Sequence, residues 1–350
     1  ASGYRARNLV SAKSYMVVSA NPYASMAGCE VLKRGGSAVD AAVAMQMVLG
    51  LVEPQSSGLG GGGFMLHYDA KTRKIASYDG RETAPAAATS DYLRTISDTN
   101  TAPPLPVLAA PESGASFNLL RQSGRSIGTP GVVRMLELAY KDHGGLPWQD
   151  LFTSAVALAS DGFLISGRLA TAIEGSKTLL QTDPEAAAYF LNDDGTARAL
   201  GSVIRNPAYA STLKQLASGG ANALHTGPIA ENIVKKIKMT RGGKPDFAIT
   251  PGLTELSDLA NYQAKRRDPV CTTYRNYWVC GMGAPSSGGI AVAQTLGMLE
   301  NFYLADHKPT GLDINGGKPS VTGVHLVSEA ERLAYADRNR YLADTDFVAL

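Results

Sequence analysis

The chain has 350 residues, 44% hydrophobic and 18% charged, with 33 basic against 31 acidic side chains and a formal net charge of +2. That composition supplies a sizeable core and excludes a disordered chain, and the length allows one large domain or two. The even charge balance, with "KRRD" at 265–268 as a brief basic run, excludes a nucleic-acid-binding role carried by charge.

The opening "ASGYRARNLV" has no basic region followed by an apolar one, and it is compatible with a mature end after export. In "NPYASMAGCEVLKRGG", Asn21 caps a helix, Pro22 suits its first turn and Gly35 suits a left-handed exit. Ser37 then opens "SAVDAAVAMQMVLG", with Asp40 three residues on as a capping-box partner. This helix is apolar almost all round and should be deeply buried. The apolar stretch Ala41 to Val52 is too short and interrupted to span a bilayer.

"GFMLHYD" alternates, "AKTR" turns, and "KIASYDGR" returns, so a hairpin is expected with Arg81 at or just past its second strand. Residues 98–115 carry four prolines and read as an ordered loop or flap. Thr129 and Pro130 should start the helix in "TPGVVRMLELAYKDHGG", and a further helix follows in "QDLFTSAVALASDG". A second hairpin is expected in "VCTTYRNYWVCG", with a two-residue turn at Arg275 and Asn276. Counting outward from that turn sets Cys271 opposite Cys280 at a non-hydrogen-bonded position, where Cα atoms approach to about 4.5 Å. If the protein is exported, a cross-strand disulfide is expected there, with Cys29 free and buried; two reduced core cysteines are the alternative. "SGGIAVAQTLGMLENF" and "TGVHLVSEAERLAYADRNRYL" close the chain as amphipathic helices. Helices, hairpin, helices, hairpin, helices is an α+β order.

The five histidines, at 67, 143, 225, 307 and 325, are scattered, and no two of the three cysteines have metal-ligand spacing. No HExxH, GxSxG or CxxC occurs, so neither a metal site nor a cofactor is expected. The run Gly60 to Gly63 precedes a strand and lacks GK[ST], so close backbone packing fits it better than a phosphate cradle. Ser286, Ser287, Gly288 and Gly289 sit at a strand-to-helix junction. Free amides there could hold an anion, but an N-cap with a tight turn is the plainer reading. His325, Glu329 and Arg332 share a helix face and read as a surface ion-pair ladder. Capping explains Asp40, and Glu53 before Pro54 ends a helix with no catalytic case. Arg81 differs in kind, because a guanidinium fork matches a carboxylate with two hydrogen bonds. Most arginines at strand ends are nevertheless solvated.

Read together, these stretches resemble the γ-glutamyltranspeptidase family. The resemblance is carried by "NPYASMAGCEVLKRGGSAVDAAVAMQMVLGLVEPQSSGLGGGGFML", "YDGRETAP", "GTPGVVRMLELAYKDHG", "YRNYWVCGMGAPSSGGIAV" and "SEAERLAYADRNRYLAD", in that order. It implies an N-terminal-nucleophile hydrolase with a four-layer αββα sandwich, made as a proenzyme that cuts itself. Residues 1–350 would be a single domain, the large subunit of a heterodimer completed by a small subunit. No catalytic residue is then expected in this chain: the nucleophile is the small subunit's N-terminal threonine, whose amine is the base. The implied reaction moves a γ-glutamyl group from glutathione or a similar donor to water or to an amino-acid or peptide amine, in the periplasm or outside the cell. The family's "RE.AP" arginine, which holds the donor α-carboxylate, maps onto Arg81, the substrate-binding residue. Gly80 is a departure, since many members carry a bulky residue there. Related acylases take glutaryl amides such as glutaryl cephalosporins, and this chain alone does not separate the two activities. In another class, a non-catalytic exported carboxylate-binding module would also explain a lone binding arginine.

Overall fold

The structure, a computed structural model, describes residues 9–93, 123–240, 249–311 and 317–349. The proline-rich segment 98–115 lies outside them. In chain order the elements are α1 (Pro22–Lys33), α2 (Ala38–Val52), β1 (Gly63–Asp69), β2 (Lys74–Gly80), α3 (Val132–His143), α4 (Thr153–Asp161) and β3 (Phe163–Leu164). There follow α5 (Gly167–Leu180), α6 (Pro184–Phe190), β4 (Val203–Ile204), α7 (Pro207–Gly219), α8 (Asn222–His225), α9 (Gly227–Ile237) and α10 (Leu256–Ala260). The last are β5 (Lys265–Arg267), β6 (Val270–Tyr274), β7 (Tyr277–Gly281), α11 (Gly288–Leu299) and α12 (Val321–Tyr341). The mixture is α+β, as the sequence order implies. The chain divides into two compact units: Tyr15–Gly63 with Asp79–Lys265, and Ala1–Ser14 with Phe64–Tyr78 and Arg266–Leu350.

The larger unit is helical and holds most of the core. Asn21 caps α1 by accepting from the Tyr23 amide, and Gly35 leaves the helix at φ +86°. Ser37 and Asp40 form the capping box of α2, whose Met47, Val43 and Val48 are wholly buried. Asp40 does more than cap. Its Oδ2 also accepts from the Gly145 and Leu146 amides at 2.9 and 3.0 Å, tying α2 to the loop after α3. Glu53, 2% exposed, ends α2 and accepts from Asn21 Nδ2 at 2.8 Å, with Arg168 Nη1 3.3 Å away. One expected helix start is corrected. Thr129 does not cap α3: the N-cap position is Gly131, no side chain caps the helix, and the Thr129 amide pairs with the Thr83 carbonyl at 2.8 Å. The helix begins at Val132, and the Gly61 carbonyl takes the Gly131 and Val132 amides instead. Before α4, residues Trp148–Phe152 form a 3-10 turn.

In the smaller unit the sheet order is β1-β2-β5, and β6 pairs with β7 separately. The turn after β1 is built by Asp69, which accepts from the Lys71 amide and the Thr72 hydroxyl, and by Arg73 at φ +56°. The β6–β7 register is the expected one: Tyr274 faces Tyr277, Thr273 faces Trp278, and Cys271 faces Cys280. Those two cysteines form a disulfide with Cα atoms 4.1 Å apart. Cys29 is free but half-buried, not fully buried. A Cβ on Gly289 would fall 2.4 Å from the Met282 carbonyl, so the glycines opening α11 let it pack onto β7. Packing is thin elsewhere: of the 21 residues of α12, Ala330 and Ala334 are buried. Tyr277, Trp278, Tyr303 and Val321 are each more than 70% exposed.

Candidate active site

Strand β2 ends at Gly80, and Arg81 follows at its tip. The Arg81 backbone is fixed at both ends. Its amide donates to Asp79 Oδ1 at 2.8 Å, and its carbonyl accepts from the Tyr262 hydroxyl at 2.8 Å. The peptide before it is pressed against the start of α3: a Cβ on Gly80 would lie 2.5 Å from Met135 Cβ and 2.9 Å from the Gly131 carbonyl. A larger residue at 80 would therefore collide with α3, and glycine is what this packing requires.

The Arg81 side chain, by contrast, is 64% exposed. Among the described residues its charged neighbour is Glu82, with Oε2 3.7 Å from Nε. That is beyond hydrogen-bond length. Glu82 has other work: its Oε1 accepts from the Gly62 amide at 2.7 Å. A Cβ on Gly62 would fall 2.5 Å from Glu82 Oε2 and 2.5 Å from the Gly80 carbonyl. Close packing of the kind expected of the run is thus found at Gly62 alone, since a Cβ on Gly60 would meet nothing within 4 Å and those on Gly61 and Gly63 would make ordinary contacts. The Arg-Glu pair splits in two, since alternate residues of an extended chain face opposite ways. Glu82 turns inward to lock the glycine loop, and Arg81 turns out.

Arg81 lines an open groove with Thr83, Pro85, Tyr92, Arg125 and Ile127. Nothing in the sequence around Arg125 singles it out. It is 3% exposed, donates Nη1 to the Tyr92 carbonyl at 2.7 Å, and stacks 5.1 Å over the Tyr92 ring. Burial pushes its pKa down. Tyr262 is likewise unmarked in the sequence. Its ring stacks on His225 with centroids 5.6 Å apart, and burial lowers the His225 pKa to about 4. No local signal marks either residue, because their partners lie far away in sequence.

The other candidates fall apart from Arg81 in role. Ser287 Oγ accepts from Arg338 Nε at 2.9 Å, and Ser286 Oγ accepts from the Gly288 amide at 3.4 Å, a tight turn without the expected side-chain cap on α11. Glu329 and Arg332 form the expected ion pair at 2.5 Å on the exposed face of α12, where His325 is also exposed. Asp40 and Glu53 are structural, as described above. Among the described residues, no helix is long and apolar enough to cross a membrane.

The fold is that of the N-terminal-nucleophile hydrolases. The chain is similar in structure to a cephalosporin acylase from Bacillus halodurans, with a TM-score of 0.76 over 99% of this chain and 58% of that one, at 23% identity. That identity speaks for the fold alone. Closer is a γ-glutamyltranspeptidase from Helicobacter pylori, with a TM-score of 0.81 and 31% identity over 98% of this chain and 88% of that one. The glutathione hydrolase proenzyme of Escherichia coli K12 is 36% identical over 341 residues, 97% of this chain and 52% of that protein. The family model described as gamma-glutamyltranspeptidase matches residues 24–350. The chain belongs to the γ-glutamyltranspeptidase family, and it spans about half the length of the curated relatives it matches.

Proposed function

We propose that residues 1–350 are one large-subunit domain of a γ-glutamyltranspeptidase, made by self-cleavage of a proenzyme and active only with the small subunit. The observation that carries this reading is Arg81: an exposed guanidinium on a backbone tied at both ends, in a chain of this family. The fork takes the α-carboxylate of glutathione or a related donor in two charge-assisted bonds. That sets the donor's γ-amide against the small subunit's N-terminal threonine. The threonine hydroxyl adds to the amide carbonyl while its own amine takes the proton. The C–N bond breaks, the leaving amine receives the proton, and a γ-glutamyl ester remains. Water, or an amino-acid or peptide amine, then attacks the ester and restores the hydroxyl. This chain supplies no catalytic group to these steps, and no cofactor or metal enters them.

Two observations support the partner and the compartment. The exposed aromatic and branched residues of the smaller unit, Trp278 and Val321 among them, are a surface suited to burial against a second chain. A bridge between Cys271 and Cys280 fits a periplasmic or secreted protein, where disulfides persist.

The test is donor kinetics of Arg81→Lys and Arg81→Gln, expressed as the full proenzyme, with γ-glutamyl and glutaryl donors side by side. Removing the fork should weaken donor binding by about 2–4 kcal/mol, roughly thirty- to a thousandfold in kcat/KM. Arg81→Lys keeps the charge and should rescue in part; Arg81→Gln should be worse. Self-cleavage involves no donor, so both variants should still yield two bands on a denaturing gel. Two-band enzyme with wild-type kcat/KM would make Arg81 an ordinary solvated residue.

A further inference from the structure

Arg81 has a long side chain and stands 64% exposed, so little of the side chain itself is held. A bidentate contact nevertheless demands that the fork arrive at a defined place and angle, which rests on how firmly its base is fixed. The amide side of that base is tied by Asp79, the neighbour two residues back. The carbonyl side is tied across the fold, by Tyr262.

Tyr262 follows α10 and is 5% exposed. Its hydroxyl donates to the Arg81 carbonyl at 2.8 Å. The hydroxyl fills a slot with no spare room: a Cβ added to Gly131 would lie 2.2 Å from the Tyr262 Oη and 2.2 Å from the Gly80 carbonyl. The ring is held in turn. It lies nearly parallel to the His225 ring, at an interplanar angle of 19°. His225 is 1% exposed, and its Nδ1 lies 3.0 Å from the Leu259 carbonyl. A carbonyl only accepts, so Nδ1 carries the proton and donates. An orienting chain therefore runs from the Leu259 backbone through two stacked rings to the Arg81 backbone.

We infer that Tyr262, held by its stack on His225, is a positioning residue for donor recognition, fixing the Arg81 peptide so that the guanidinium is presented in one place. The inference rests on the reading of Arg81 as the donor's carboxylate ligand. Tyr262 touches neither donor nor reacting atoms, so its loss should raise donor KM and leave kcat nearly unchanged, the pattern of lost uniform binding. For one buried hydrogen bond the expected rise is about three- to tenfold.

The experiment is a double-mutant cycle on processed two-chain enzyme: wild type, Tyr262→Phe, Arg81→Gln and the double variant, each with donor KM, kcat and Tm. Support is a raised KM at unchanged kcat in Tyr262→Phe, with no further loss when the change is added to Arg81→Gln. Equal losses in both backgrounds would overturn the inference, because the hydroxyl would then act on stability and not through Arg81. A wild-type KM in Tyr262→Phe beside an impaired Arg81→Gln would overturn it while leaving the donor-binding reading intact. A wild-type Arg81→Gln would remove both. Should Tyr262→Phe not be recovered folded, His225→Asn, which takes away the stacked ring, is put through the same cycle and judged by the same outcomes.

Discussion

Replacing Gly131 with alanine probes the close approach on which the Arg81 peptide rests. Gly131 has φ −124° and ψ −23°, a conformation open to alanine, so backbone strain is not the obstacle. Space is. The new Cβ would lie 2.2 Å from the Gly80 carbonyl and 2.2 Å from the Tyr262 hydroxyl, more than 1 Å inside ordinary contact. Relief requires the end of β2 to part from the start of α3. That movement strains the bonds from the Gly131 and Val132 amides to the Gly61 carbonyl, now 3.0 and 3.1 Å long. Overpacking of this kind costs about 1–3 kcal/mol. For a unit of this size that lowers Tm by about 2–12 °C. The same displacement pushes the Tyr262 hydroxyl off the Arg81 carbonyl, so, on the proposed donor-binding role of Arg81, donor KM should rise as well. Gly175→Ala is the control: Gly175 lies inside α5, is exposed, and has nothing within 4 Å of its would-be Cβ. That change should stabilise by about 0.5–1 kcal/mol with unchanged kinetics. Thermal melts and donor kinetics on processed enzyme decide the matter. A Gly131→Ala enzyme with wild-type Tm and KM would refute the close approach.

Two further outcomes follow from chemistry elsewhere in the chain. Alkylation of the denatured, unreduced protein should label Cys29 alone, and Cys271→Ser with Cys280→Ser should cost about 2–3 kcal/mol, the loop-closure entropy of a nine-residue separation; labelling of all three thiols would rule the bridge out. Burial lowers the His225 pKa from 6.5 to about 4, so the unfolded chain takes up this proton first as pH falls. The neutral ring's contribution to stability is full above about pH 6.5 and is lost down to about pH 4, with a slope of up to about 1.4 kcal/mol per pH unit. Denaturant melts across that window should show the slope in wild type and its loss in His225→Gln; equal slopes would count against a buried neutral His225.

What was legible in the sequence was local. The caps at Asn21 and Ser37 join residues two or three apart, and the β6–β7 register follows from counting outward from a two-residue turn. Thr129-Pro130 has the look of the Asn21-Pro22 start, but the amides opening that helix are taken by the Gly61 carbonyl, seventy positions away. No rule of composition or spacing finds such a cap. The short strand β5 escaped for a related reason: "KRR" has neither apolar alternation nor a turn beside it, and it is a strand because β2 offers an edge. Tyr262 and His225 lie 181 and 144 positions from Arg81, and only the fold brings the tyrosine's hydroxyl to the arginine's carbonyl.

These long-range ties explain why the arginine stands where it does. A binding side chain on a free loop would lose orientation, and one within the strand would lose reach. The first residue past β2 escapes both limits, because the strand sets its direction and the next residue, Glu82, returns inward to the Gly62 amide. The peptide is thereby held before, at and after position 81 by groups from three separate stretches of chain. Each tie needs something a substituted backbone would forbid: Gly62 must let Glu82 approach, Gly80 must let α3 approach, and Gly131 must admit the Tyr262 hydroxyl. In the reading proposed here, the glycines are as much a part of donor recognition as the guanidinium. They are the condition for a rigid base beneath an exposed charge, and alanine at 62, 80 or 131 should weaken the donor's hold without touching a single atom that meets it.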